Sequence, residues 1–254
     1  MTLLYPSSGN AKILGHDITD TGMHTRIGYC PENPYFYDYL TALELMDYFG
    51  SLFGIEQGVR KQRSQDLLTK VQLDEKSWNK QLRKFSKGML QRVSIAQSLI
   101  NDPEIIFMDE PMSGLDPIGR REVRELIADL RKQGKTVFMS THILSDVEAL
   151  CDEVAILRKG KLAATGKLDD LLAAQAESQV FEVNLRGTGA EALSARLGNG
   201  FELVETPGGV RVRVEDEREI DHVLAAARSE GGNLISVVPV KQSLEELFVS
   251  ATEN

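Results

Sequence analysis

The sequence is poor in the features that mark secreted, membrane-spanning and nucleic-acid-coating chains. It has two cysteines, Cys30 and Cys151, far apart in a chain with no secretory features, so two reduced thiols are expected rather than a disulfide framework. No apolar stretch approaches the roughly 18 residues that a bilayer span requires. The opening MTLLYPSSGN carries neither a basic leader nor an apolar run long enough for a signal peptide. Positive charge is scarce: 29 Lys and Arg stand against 38 Asp and Glu, a formal charge of −9, which argues against broad binding to a phosphate backbone. There is no internal repeat and no low-complexity tract. With 42% hydrophobic and 26% charged residues, 21 Gly and 8 Pro, the composition excludes disordered and collagen-like classes as well. What remains is a globular chain of 254 residues, expected in the cytoplasm, with material for one large domain or two smaller ones.

Charge and pattern favour two. Residues 171–254 hold seven Arg or Lys against fourteen Asp or Glu, while the part before them is nearly neutral. In that first part, Ala11–Leu14 and Arg26–Cys30 read as strands around the turn-rich stretch Gly15–Gly22. Thr41 and Glu44 have the spacing of a capping box, and Leu43, Met46 and Phe49 mark the apolar face of the helix that follows. Residues 60–73 and 86–100 read as two more helices. Glu104–Met108 is a strand that stops at Asp109-Glu110-Pro111, Gly119–Gln133 a helix ended by Gly134, Thr136–Ser140 a buried strand and 143–151 a helix. Glu153–Leu157 turns back through Arg158-Lys159-Gly160. Strand and helix in alternation predict a parallel sheet covered on both faces. From Val180 the pattern becomes strand (Val180–Leu185), helix (Ala190–Leu197), hairpin (Phe201–Val204 and Val210–Val214), helix (Glu217–Arg228) and strand (Leu234–Val240), the order of a split βαβ, ferredoxin-like fold. A final helix is expected over Ser243–Ala251.

The chemistry is concentrated where Ile105-Ile106-Phe107-Met108 runs into two adjacent acids. At a phosphoryl-transfer site the first acid at a strand end can hold Mg²⁺ and the second can position or deprotonate an attacking water. Alone this is a common strand ending, just as Ser86-Lys87-Gly88 alone reads as a helix N-cap, Asp116-Pro117 as a turn, Glu32 as a loop acid and His142 as a surface histidine. Together they form an ordered series: Pro31-Glu32, then Phe85-Ser86-Lys87-Gly88-Met89, then Asp109-Glu110, Ser113-Gly114-Leu115-Asp116, and Ser140-Thr141-His142.

In order and spacing this series resembles the ATPase subunits of ABC transporters, with the five stretches in the places of the Q-loop, the signature sequence, Walker B, the D-loop and the switch histidine. The resemblance implies an α/β, P-loop NTPase fold of the ABC ATPase type over residues 1–167, with a parallel sheet core and a helical subdomain at about 41–100. Residues 168–254 would form a small α+β accessory domain. The implied ligands are ATP and Mg²⁺. Asp109 and Glu32 would bind the metal, Glu110 would be the general base, and His142 would contact the γ-phosphate and the attacking water. Ser86, Lys87 and Gly88, at a helix N-terminus, would meet a phosphate of the nucleotide held mainly by a second ATPase subunit, and Asp116 would lie at the same interface.

The chain departs from the family pattern in three places. The signature reads FSKGM where the family usually has LSGGQ, and Glu32 stands where Gln is commonest. The loop G-x-x-x-x-G-K-[ST], whose amides and lysine cradle the β- and γ-phosphates, occurs nowhere in the sequence. By resemblance this loop precedes Leu3, so about forty residues are expected to be missing in front, leaving Glu104–Met108 with an unpaired edge and an uncovered face. Such a chain is expected to bind MgATP weakly by itself.

Seven of the sixteen aromatic residues fall within residues 33–55. Tyr35, Phe36, Tyr37 and Tyr39 precede the helix in a loop, where the resemblance places the surface that receives a membrane permease subunit. The ending Ser243–Phe248 is similar to that of ATPases paired with ABC-2 type, often export-directed, permeases. The leading expectation is thus the ATP-hydrolysing subunit of a membrane transporter at the inner face of the cell membrane, acting as a homo- or heterodimer without nucleic acid. The alternatives are a catalytically defective partner completing another subunit's ATP site, and an ABC-type ATPase acting on nucleic acid.

Overall fold

A computed structural model describes residues 7–174, 180–198 and 200–239. The chain divides into two compact units between Leu150 and Cys151. The first begins with a short hairpin, β1 (Lys12–Ile13) and β2 (His16–Asp17), followed by a 3-10 turn over Thr21–Arg26 and strand β3 (Ile27–Cys30). Helices α1 (Ala42–Leu52), α2 (Gln57–Lys70) and α3 (Lys87–Ser98) come next. They are followed by β4 (Ile105–Asp109), α4 (Pro117–Lys132), β5 (Thr136–Ser140) and α5 (Leu144–Leu150).

The first hairpin corrects the single strand expected over Ala11–Leu14. Leu14 and Gly15 both have positive φ, 51° and 81°, the backbone of a tight two-residue turn that reverses the chain one residue before that strand was expected to end. The capping box of α1 is formed: the Thr41 hydroxyl accepts from the Glu44 amide at 3.2 Å, and the Glu44 carboxylate accepts from the Thr41 amide at 2.8 Å.

The central sheet is parallel, in the order β3-β4-β5, with Ile27 opposite Ile105 and Ile105 opposite Thr136. The expected free edge of Glu104–Met108 is therefore corrected, because β4 is the middle strand, paired on both sides. Alternation sends Ile106 and Met108 to a buried face, where they join α1, α3 and α4 through Leu45, Ile95, Val123 and Ile127 in one core. The opposite face carries Tyr29, Phe107 and Phe138. The Phe107 and Phe138 rings lie 5.5 Å apart, and Phe138 is 62% exposed. Among the described residues the sheet is covered on one face only, which matches the uncovered face expected for Glu104–Met108 and corrects the sheet expected to be covered on both; Thr136–Ser140 is half-exposed rather than buried. Helix α3 lies hard against β3. A Cβ on Gly28 would come within 2.1 Å of the Ser98 carbonyl oxygen, so only glycine permits the approach.

The second unit starts with the antiparallel hairpin β6 (Glu153–Arg158) and β7 (Lys161–Lys167), then α6 (Leu168–Ala174). Strand β8 (Phe181–Arg186), helix α7 (Ala190–Leu197), strands β9 (Glu202–Thr206) and β10 (Gly209–Val214), helix α8 (Glu217–Ser229) and strand β11 (Asn233–Pro239) follow. The last four strands form an antiparallel sheet in the order β11-β8-β10-β9, the ferredoxin-like arrangement expected from the element order. Val183, Leu185, Val210, Val212 and Val214 pack with Leu193, Leu197, Val223 and Ala227 into a separate core. The helix expected over Ser243–Ala251 lies outside the described residues.

Candidate functional site

Parallel strands end together, so the residues that follow them meet along one edge of the sheet. Cys30, Asp109 and Ser140 end β3, β4 and β5, and the segments leaving them carry Glu32, Glu110 and His142.

Glu110 is the most constrained of these. Its φ is 45°, in the left-handed region, which turns the chain sharply as it leaves β4. Its amide donates to the Ser140 carbonyl at 3.2 Å. Its carboxylate accepts from the His142 amide at 3.0 Å and lies 2.7 Å from His142 Nδ1. A carboxylate only accepts, so this contact places the proton on Nδ1 and leaves Nε2 pointing away as an acceptor in the neutral ring. The His142 side chain is 80% exposed and the Glu110 side chain 20%. Beside them the Ser140 hydroxyl donates to Asp109 Oδ1. The structure thus joins Asp109, Glu110 and His142, and adds Ser140, which the sequence reading named beside His142 without a role.

A second group surrounds the start of α3. The Ser86 hydroxyl accepts from the Met89 amide at 3.2 Å as N-cap, so its own proton remains available to an acceptor. Lys87 Nζ donates to Ser113 Oγ at 3.3 Å, and its stem lies across Gly114, where any Cβ would be 2.7 Å from Lys87 Cδ. Gly88 faces the Gly114 carbonyl and Leu115. Asp116 caps α4, its carboxylate accepting from the Gly119 amide at 2.8 Å with Pro117 in the first turn. The two groups are joined through the turn after β4, where the Ser113 amide donates to the Glu110 carbonyl at 2.9 Å.

Gln91, buried on α3, was also missed. Its amide donates to the Pro111 carbonyl at 3.2 Å and contacts Cys30 Sγ at 3.7 Å, tying the α3 helix to the turn that holds Glu110. The only signal for it in the sequence is a polar residue within a run of core-facing helix positions. Glu32 leaves β3 at the same sheet edge, and among the described residues its carboxylate forms no hydrogen bond or ion pair.

No group of three or more His, Cys, Asp or Glu side chains suited to a metal occurs among the described residues. Mg²⁺ does not need one: it takes one or two carboxylates and fills its octahedron with water and phosphate oxygens. With one Asp109 oxygen engaged by Ser140 and the other open, the donor set fits such an ion.

Known proteins resemble the chain over most of its length. A family model described as ABC transporter matches residues 1–113, and one described as ATP-binding protein DrrA1-3-like, C-terminal domain, matches residues 166–252. An uncharacterized ABC transporter ATP-binding protein of Nostoc is 45% identical over 98% of the chain and 72% of its own length. A fluoroquinolones export ATP-binding protein of Mycobacterium tuberculosis is 36% identical over 77% of the chain and 64% of its own. Among solved structures, an ATP binding subunit of an ABC transporter superposes with a TM-score of 0.62 at 31% identity, covering 68% of this chain and 72% of that one. A dimeric ATP-binding cassette in a post-hydrolysis state, bound to ADP and Pi, gives 0.60 at 26% identity over 65% of this chain and 76% of that one.

Proposed function

Because the chain belongs to the family of ABC transporter ATP-binding proteins, ATPases of the P-loop NTPase fold, we propose that it hydrolyses ATP within a dimer and couples that reaction to transport by a separate membrane subunit. The observation that carries this reading is the hydrogen-bonded pair Glu110–His142 beside Asp109 at the carboxyl end of β4. Glu110 takes a proton from the attacking water. His142, its tautomer set by Glu110, directs Nε2 toward the γ-phosphate and that water. Mg²⁺, held by Asp109 and Glu32, would neutralise charge developing on the phosphate oxygens when bound. Ser86, Lys87 and the Gly88 amide donate to the phosphate of a nucleotide held mainly by the opposing subunit, and Asp116 lies at that interface.

Residues 1–167 would serve as the ATPase domain and 168–254 as an accessory domain. The loop G-x-x-x-x-G-K-[ST], which would cradle the β- and γ-phosphates in cis, is not among the 254 residues. The match to a DrrA-like C-terminal domain, with a relative named for fluoroquinolone export, supports an export-directed ABC-2 type permease as the partner.

In a version carrying the phosphate-loop segment, Glu110→Gln abolishes turnover and leaves ATP binding intact. Steady-state hydrolysis retained by that variant removes Glu110 from the role of base.

A further inference from the structure

Helix α5 follows His142 directly, yet it is only seven residues long and its one fully buried side chain is a carboxylate, Asp146. One oxygen of Asp146 accepts from Arg124 Nε at 2.8 Å and also from Arg124 Nη2; the other, Oδ2, is buried without a partner among the described residues. Arg124 belongs to α4, the helix whose N-cap is Asp116. An ion pair therefore holds α5 to α4 where apolar anchoring of α5 is thin, consisting of Leu150 at the edge of the core.

Burying a carboxylate, even with a partly exposed arginine on it, is a costly way to gain stability, since apolar residues of similar volume usually do as well or better. What two donors of one arginine fixed on a single carboxylate oxygen do supply is one defined geometry. The geometry at stake is that of the link before α5. There the Thr141 hydroxyl accepts from the Ile143 amide, the Asp146 amide donates to the Ile143 carbonyl, and His142 meets Glu110.

We propose that Arg124 and Asp146 are positioning residues that hold His142 on Glu110 and couple that contact, through α4, to the turn containing Ser113–Asp116. The role assigned to His142 rests on the function proposed above; the coupling itself does not.

The two are separated by two measurements. The first is the imidazole NMR spectrum of the folded 254-residue chain, which has four histidines. In Arg124→Met the His142 signals move toward their positions in Glu110→Gln, while those of His16, His24 and His222 stay in place. Arg124→Met/Asp146→Leu removes both charges together, so no buried charge is left unpaired, and it gives the same shift. Wild-type His142 signals in either folded variant overturn the proposal.

The second is turnover by the ATPase carrying its phosphate-loop segment. Asp146→Asn lowers kcat about tenfold or more with KM for ATP unchanged, Asp146→Glu recovers part of the loss, and the variant has no further effect in a His142→Ala background. An equal fractional loss in both backgrounds overturns the positioning role. A His142 signal that moves as expected while His142→Ala leaves kcat intact refutes instead the role of His142 in hydrolysis.

Discussion

Replacing Glu110 by alanine and by glycine should reverse the usual order of the two residues. Both substitutions delete the carboxylate and its contacts to His142, so their difference isolates the backbone. At a φ of 45° a side chain with a Cβ carries a penalty of roughly 1–2 kcal/mol that glycine escapes. Against this, glycine loses about 0.4–1 kcal/mol more backbone entropy on folding. The conformational term wins, and Glu110→Gly should be more stable than Glu110→Ala by about 0.5–1 kcal/mol. With a urea dependence of roughly 1–3 kcal/mol/M, that is a midpoint higher by about 0.2–1 M. The assay is equilibrium urea unfolding followed by fluorescence of Trp78, the single tryptophan, which is buried in the first unit with its indole N–H on the Leu73 carbonyl. A higher midpoint for alanine at equal slope would refute the claim that strain is stored at the turn carrying Glu110.

Three further outcomes follow from the packing and the surface. Gly28→Ala places a Cβ 2.1 Å from the Ser98 carbonyl oxygen, and denaturant unfolding should show a loss of about 1–3 kcal/mol or more; a loss under about 0.5 kcal/mol would mean that α3 is free to withdraw. Burial pushes the Cys30 thiol up to about 11 from its usual 9.0, so the folded form stays protonated while the unfolded chain ionises. Stability is therefore whole below pH 9 and declines between pH 9 and about 11, a decline that Cys30→Ala should flatten in unfolding curves taken across that range. Tyr37→Ala/Tyr39→Ala strips ring surface from the exposed loop before α1, where Tyr37 also meets Tyr48 edge-on, and should weaken co-purification with the permease; unchanged complex yield counts against that docking surface.

Much of the site was legible because its chemistry sits at element ends, which local pattern fixes well. A run of apolar residues stopping at Asp109-Glu110, a Ser before a helix and an Asp before a Pro each mark a boundary, and each boundary turned out to carry the side chain it advertised. Contacts across elements were not legible. Ser140 on Asp109, Lys87 on Ser113 and Gln91 on Pro111 join residues 20 to 31 positions apart, and no periodicity encodes such meetings. The alternation of strands and helices likewise pointed to a parallel sheet but not to β4 as its paired middle strand, and it misjudged Thr136–Ser140, since Phe138 alternates like a core residue and yet faces outward. The C-terminal order was readable because its two central strands, β8 and β10, each have one polar and one apolar face, so that period, turn and topology agree there.

The approach at Gly28 has a mechanical consequence. Helix α3, about 18 Å long from its rise per residue, is fastened along β3 at three levels: Gln91 and Ser94 on Cys30, and Ser98 on Gly28. With a backbone-to-backbone seat at one end and hydrogen bonds to a buried thiol above it, helix and strand have no layer of compliant side chains between them in which to slip. A load applied at Ser86 is therefore not dissipated at this joint. It arrives at Pro31-Glu32, the next residues beyond the strand, so the loop after β3 and the start of α3 form two tips of one stiff beam.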